Sequence, residues 1–294
     1  MRKFILAAAG VLAAGHALAI TPIVLPAPQP GAQPMSIADA QARAATKPID
    51  TRKIILVGDS ITADESGWGG AFCEDHVLPL VSCVDLGHGG RSTFSYIADG
   101  SWNIALSEAR TQGYDGVYML IEFGHNDMPG KPGRSTDLSE FKDNLRKMVN
   151  DTRAEGAIPV LVTPMTRRFF KAGALIDDMA PWADATAQVA DELNVPLVDL
   201  HASSVATVQA MGAVGALDLA RSPPPADVLA AAKSGNSLVH HDQTPVAVDT
   251  ANGDNTRSTF DYIHIGPKGA EIFSAQVAHE LTQAVPALKG VVTP

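Results

Sequence analysis

The sequence predicts an α/β protein with a five-stranded parallel sheet, covered by helices on both faces in three layers. Five short apolar runs recur along the chain, helical patterns separate them, and each run ends in a polar or glycine-rich segment. Strands that are continuously apolar need cover on both faces, and crossover helices between parallel strands supply it.

Residues 1–19, MRKFILAAAGVLAAGHALA, combine two basic residues, an apolar stretch and a small-x-small ending, the pattern of a secretory signal cleaved after Ala19. The stretch is too short for a membrane span. Residues 20–50 are rich in Pro, Ala and Gln and predict a flexible leader. The folded domain is expected over 51–294. Its strands are KIILV (53–57), VSCVDL (81–86), GVYMLIEF (116–123), PVLVT (159–163) and PLVDL (196–200). Between the third and fourth, Leu138, Phe141, Leu145, Met148 and Val149 repeat at helical spacing, and Asp137 with Glu140 resembles a capping box. Residues 201–260 are Ala-rich and then polar, which reads as an insertion lying over the sheet. PKGAEIFSAQVAHELTQAV closes the fold as an amphipathic helix.

With 294 residues, 46% hydrophobic and 18% charged, the chain can bury a substantial core. Loss of Arg2 and Lys3 with the signal moves the formal charge from −10 to about −12, 20 basic against 32 acidic residues. So acidic a chain is a poor fit to nucleic acid, whose binding rests on a basic surface. A secreted or periplasmic monomer without membrane or nucleic-acid partners is expected. Export permits one disulfide, Cys73–Cys83, as a helix-to-strand staple, two buried thiols being the other reading.

Ligands of an open parallel sheet bind beyond the carboxyl ends of its strands. GDSIT, GHGGRST, GHNDM and PMTRRF follow the first four strands, and DYIHIG comes late in the chain. Ser60, just past a Gly58-Asp59 turn, can be a nucleophile if a histidine takes its proton. Among nine histidines, His264 has a carboxylate, Asp261, three residues earlier, where both side chains can face one way in a turn. Ordinary turn chemistry also accommodates both motifs. An oxyanion would be met by the Ser60 N–H, the Gly90 N–H and the Asn126 side-chain amide. His125 reads as a structural histidine or a pocket wall, since Asp127 beside it points away. His240, His241 and Asp242 lack the spacing of a metal site, so no metal and no cofactor are expected.

Gly58-Asp59-Ser60, Gly90, Gly124-His125-Asn126-Asp127 and Asp261-x-x-His264, in this order, resemble the four blocks of the SGNH (GDSL-type) hydrolases over about residues 52–285. The resemblance implies a flavodoxin-like sheet, a Ser60, Asp261, His264 triad, and oxyanion donors at Ser60, Gly90 and Asn126. GRST (90–93), IEFGHND (121–127) and TPMTRR (163–168) are similar to rhamnogalacturonan acetylesterases, which implies removal of acetyl groups from a pectin-type polysaccharide. The segment before Asp261 is longer and more polar than in compact members of the family.

An acidic enzyme acting on a polyuronate needs a local cationic patch, and Arg91, Arg167 and Arg168 lie on crevice loops. They either pair a substrate carboxylate or hold the loops through Asp127 and other acids. Trp68 and Trp102 are candidates for stacking on a sugar, with core packing the competing fate. A lipase or thioesterase, an acetylxylan esterase, and a non-catalytic carbohydrate-binding protein on the same fold are the alternatives.

Overall fold

Four consecutive residues of the first strand, Ile54, Ile55, Leu56 and Val57, are wholly buried, so β1 (Arg52–Gly58) has no solvent face. In the computed structural model, which describes residues 51–238 and 260–294, β1 is an inner strand of a five-stranded parallel sheet. The strands run in the order β2 (Ser82–Asp85), β1, β3 (Gly116–Glu122), β4 (Ile158–Val162) and β7 (Leu197–Val198), so β1 pairs with β2 on one side and β3 on the other. The export signal, the leader and the His240, His241 and Asp242 loop lie outside the described residues.

Side chains alternate across a strand, so the sheet feeds two cores. Ile54 and Leu56 of β1 join Val160, Phe273, Val277 and Leu281 on one face. Ile55 and Val57 join Phe141, Leu145, Met148 and Trp182 on the other. The second face is covered by α1 (Thr93–Ala98), α2 (Ser101–Ala109), α3 (Leu138–Ala154) and α4 (Ala180–Leu193). Over the first pack α5 (Leu200–Gly215), α7 (Pro267–Ala284) and a π-helical turn, Phe72–His76. The Cys73–Cys83 disulfide, with Cα atoms 5.5 Å apart, joins that turn to β2.

Asp137 caps α3 by accepting the Glu140 N–H at 2.8 Å, one half of the box suggested by the sequence. The 201–260 segment divides. Helix α5 belongs to the main core through Leu200 and Val208, whereas α6 (Ala226–Lys233) sits on a smaller cluster of Phe169, Leu217, Val228, Phe260 and Tyr262. A two-residue-per-strand hairpin, β5 (Phe170–Lys171) with β6 (Ala174–Leu175), has no counterpart in the sequence reading. Its turn places Ala172 and Gly173 in the left-handed region (φ 51° and 82°), where the twist matches that of an antiparallel pair. No helix of the described residues is long and apolar enough to cross a membrane.

Two substitutions on α3 separate packing from capping. Phe141→Ala, at a fully buried position, should cost roughly 3–5 kcal/mol in urea unfolding. Asp137→Ala should cost about 1 kcal/mol. Equal costs would mean that α3 is held otherwise than by its apolar face.

Candidate active site

The chain leaves β1 through a turn that only glycine can begin. A Cβ on Gly58 would stand 2.7 Å from the Glu122 carbonyl oxygen of the neighbouring strand. Asp59 then caps the turn, accepting the Ile61 N–H at 2.8 Å. Ser60 follows with its N–H bonded to no described group, and the Gly90 N–H is likewise uncommitted among the described residues. Gly90 itself is left-handed, at φ 76°.

His264 reaches Ser60 from the far end of the chain. Its Nε2 is 2.9 Å from Ser60 Oγ and its Nδ1 2.9 Å from Asp261 Oδ2. The other Asp261 oxygen accepts the Ile263 and His264 N–H groups, both at 2.7 Å. Burial alone would raise the Asp261 pKa, but the His264 ring and these backbone donors outweigh it and hold the carboxyl below its ordinary value. A carboxylate kept ionised beside Nδ1 fixes the ring with Nε2 facing the serine.

Two contacts tie this loop to the rest of the site. Ser66 Oγ donates to the Ser60 carbonyl at 2.6 Å while the Ser66 carbonyl accepts the Ile265 N–H at 3.0 Å. Arg168, 1% exposed, donates to the carbonyls of Asp261, Ile263 and His264 at 2.9, 3.0 and 3.0 Å. Burial lowers its pKa to about 10, which leaves it charged. Arg168 is therefore no substrate contact: it binds three backbone carbonyls around the histidine.

Arg167 is engaged by Asp178 and stands over the Phe169 ring. Arg91 is partly exposed but is paired with Asp99 at 2.8 Å. Neither pairs with Asp127, which is buried and accepts from Thr93 and Thr136. Trp68 and Trp102 are core residues whose ring N–H groups go to Glu122 and Asp151, both at 2.9 Å, so neither offers a face to a sugar. Trp68 is tied to the site by its backbone N–H, which donates to the Ile61 carbonyl at 2.9 Å, and through Glu122, which also accepts from Thr62 and the Met165 N–H.

His125 is buried, with Nδ1 4.0 Å from Asp59 and Nε2 without a partner among the described residues. Burial pushes its pKa well below the ordinary value, and it makes no hydrogen bond to Ser60. Asn126 donates to the Arg91 carbonyl at 3.0 Å, while its second contact, to Asp59, is a long 3.4 Å. Its oxygen accepts from Arg134 at 3.2 Å, and the same Arg134 nitrogen reaches the Gly90 carbonyl at 3.1 Å. Arg134 was not among the residues singled out in the sequence. It lies in a Pro-Gly-rich loop with no periodicity to mark it, and only the fold brings it between Gly90 and Asn126.

The arrangement suits acyl transfer, with a nucleophile, a base held by an ionised acid, and uncommitted N–H donors beside them. Arg168→Lys keeps the charge but cannot span three carbonyls. It should lower kcat for an activated acetate ester about 100-fold, the scale of a misplaced catalytic group, with a much smaller change in KM. An unchanged kcat would remove Arg168 from the positioning of His264.

Comparison with known proteins shows the family and the fold. Residues 56–272 match the model of the GDSL-like lipase/acylhydrolase family. Rhamnogalacturonan acetylesterase RhgT of Bacillus subtilis is 35% identical over 176 residues, 56% of this chain and 71% of RhgT. The crystal structure of YxiM from Bacillus subtilis superposes with a TM-score of 0.55 at 21% identity, over 83% of this chain but 59% of that one, under two thirds of its length. An acetyl xylan esterase, AlAXEase, superposes with a TM-score of 0.51 at 16% identity over 79% and 99% of the two chains. These last two are likenesses of fold. With the family model spanning most of the chain, the protein belongs to the GDSL-like lipase/acylhydrolase family, the SGNH hydrolases, and is a carboxylic ester hydrolase.

Proposed function

We propose that the protein is an exported esterase that removes O-acetyl groups from a plant cell-wall polysaccharide of the rhamnogalacturonan type. The observation that carries the chemistry is the continuous Asp261, His264, Ser60 chain, with both links at 2.9 Å. The substrate rests on the likeness to RhgT. Export rests on the first 19 residues, and the Cys73–Cys83 pair suits an oxidising compartment.

In this reading Ser60 Oγ attacks the acetyl carbonyl carbon and passes its proton to His264 Nε2, while Asp261 stabilises the imidazolium. The carbonyl oxygen becomes an oxyanion facing the Ser60 and Gly90 N–H groups and the Asn126 amide. Collapse breaks the ester bond, the departing sugar oxygen takes the proton from His264, and an acetyl group remains on Ser60. Water then gives its proton to His264 and attacks the acetyl carbon, releasing acetate and returning the proton to Ser60. Asn126 must turn its second hydrogen from Asp59 toward the oxyanion, which the length of that contact permits.

Acetate release compared on acetylated rhamnogalacturonan, acetylated xylan and a long-chain ester tests the reading. The first substrate should be fastest and the last slowest. Preference for the long-chain ester would replace it with a lipase or thioesterase. Asn126→Ala should lower kcat by about 100- to 1000-fold, the typical cost of one oxyanion donor. A loss under threefold would take Asn126 out of that role.

A further inference from the structure

The loops that carry Gly90 and Asn126 enclose an open cavity of about 380 Å³ lined by Gly90, Arg91, Phe94, Asp99 and Arg134. Its Gly90 wall connects it with the nucleophile, since a Cβ on the adjacent Gly89 would stand 3.8 Å from Ser60 Cβ. We propose that this cavity is a subsite for a carboxylated sugar ring, with Arg134 pairing the carboxylate and Phe94 stacking on the ring. The proposal rests on the polysaccharide-esterase reading above and assigns the residues that would hold a uronate of that substrate.

The two arginines of the cavity differ. Arg91 is neutralised by Asp99 and also donates to the Gly89 carbonyl. Arg134 has no carboxylate within ion-pair distance among the described residues; its Nη1 is spent on Gly90 and Asn126 oxygens, and its Nε and Nη2 donate to no described group. Its half-buried guanidinium is thus held in place by one nitrogen and presents the others in the planar fork that matches a carboxylate. Phe94 is 45% exposed on the same wall, an unusual position for a phenylalanine whose neighbours Thr93 and Tyr96 are buried. An aromatic face beside a fixed cation in a shallow, open cavity suits a uronate and offers no tunnel for an acyl chain. Arg134 also places the subsite next to the oxyanion donors, so a bound uronate would set the neighbouring acetyl group near Ser60.

The test is competitive inhibition of p-nitrophenyl acetate hydrolysis by an unacetylated oligogalacturonide, against a neutral xylo-oligosaccharide of equal length. The full-length enzyme should bind the galacturonide at least about tenfold more tightly than the neutral sugar, the scale of one charge-assisted pair, and less tightly as salt is raised. Phe94→Ala and Arg134→Gln should each raise the galacturonide Ki about tenfold, and Arg134→Lys less. Equal inhibition by the two sugars, no inhibition by either, or an unchanged Ki in Phe94→Ala and Arg134→Gln would overturn the subsite. Phe94 is exposed, so its variant keeps the test readable if Arg134→Gln disturbs the fold. The failure of the broader reading looks different: no acetate released from any acetylated polysaccharide while p-nitrophenyl acetate is still cleaved.

Discussion

One buried guanidinium sets the geometry on which the site depends. Arg168 follows β4, on the opposite side of the sequence from the histidine loop, and its three bonds hold the carbonyls of Asp261, Ile263 and His264. A loop of this kind has no ladder of its own, so its backbone oxygens need a donor brought from elsewhere. A charge buried in this way is costly unless its donors are satisfied. The three carbonyls meet that need at Nη1 and Nη2, while Nε has no partner among the described residues. The guanidinium thus links the sheet edge to the base, and Ser66 links the base back to the nucleophile.

The rest of the catalytic edge is organised by acids that are themselves buried. Burial first, and then the nearby Glu122, push the Asp59 carboxyl well above its ordinary pKa, and burial raises Glu122 as well. Burial raises Asp127 to about 7 against the hydrogen bonds from Thr93 and Thr136. Asp59 accepts from Ile61 in its own turn and from Asn126 across the site, Glu122 from Thr62, Trp68 and Met165, and Asp127 from Thr93 and from Thr136 further along its own loop. They act as crosslinks between strand ends, which places the uncommitted donors without engaging them. Asp261 is the exception among the acids at the site, since its partners win over burial and keep it charged where a charge is useful.

What could be read from the sequence follows from what local patterns encode. Strand runs such as Ile54 to Val57 are apolar because both faces are buried, and the α3 repeat is visible because helical packing is periodic. The pairing of Ser60 with His264 follows from Asp261 sitting three residues before the histidine. Arginine roles do not follow in this way. Arg91, Arg167 and Arg168 look alike in sequence, yet one caps a loop backbone, one pairs with Asp178 and one with Asp99. Which charge remains unpaired depends on contacts made across loops, and it falls on Arg134, which no motif marks. The β5–β6 hairpin is hidden for a related reason, since two-residue strands carry no period.

The account's central claim is that Ser60 carries the acyl group, and the direct measurement is the site of acetylation. Enzyme quenched rapidly during turnover of p-nitrophenyl acetate, digested and analysed by mass spectrometry, should carry one acetyl group on the peptide containing Ser60, and none after His264→Ala. An acetyl group on another residue, or labelling of Ser60 undiminished by His264→Ala, would contradict it.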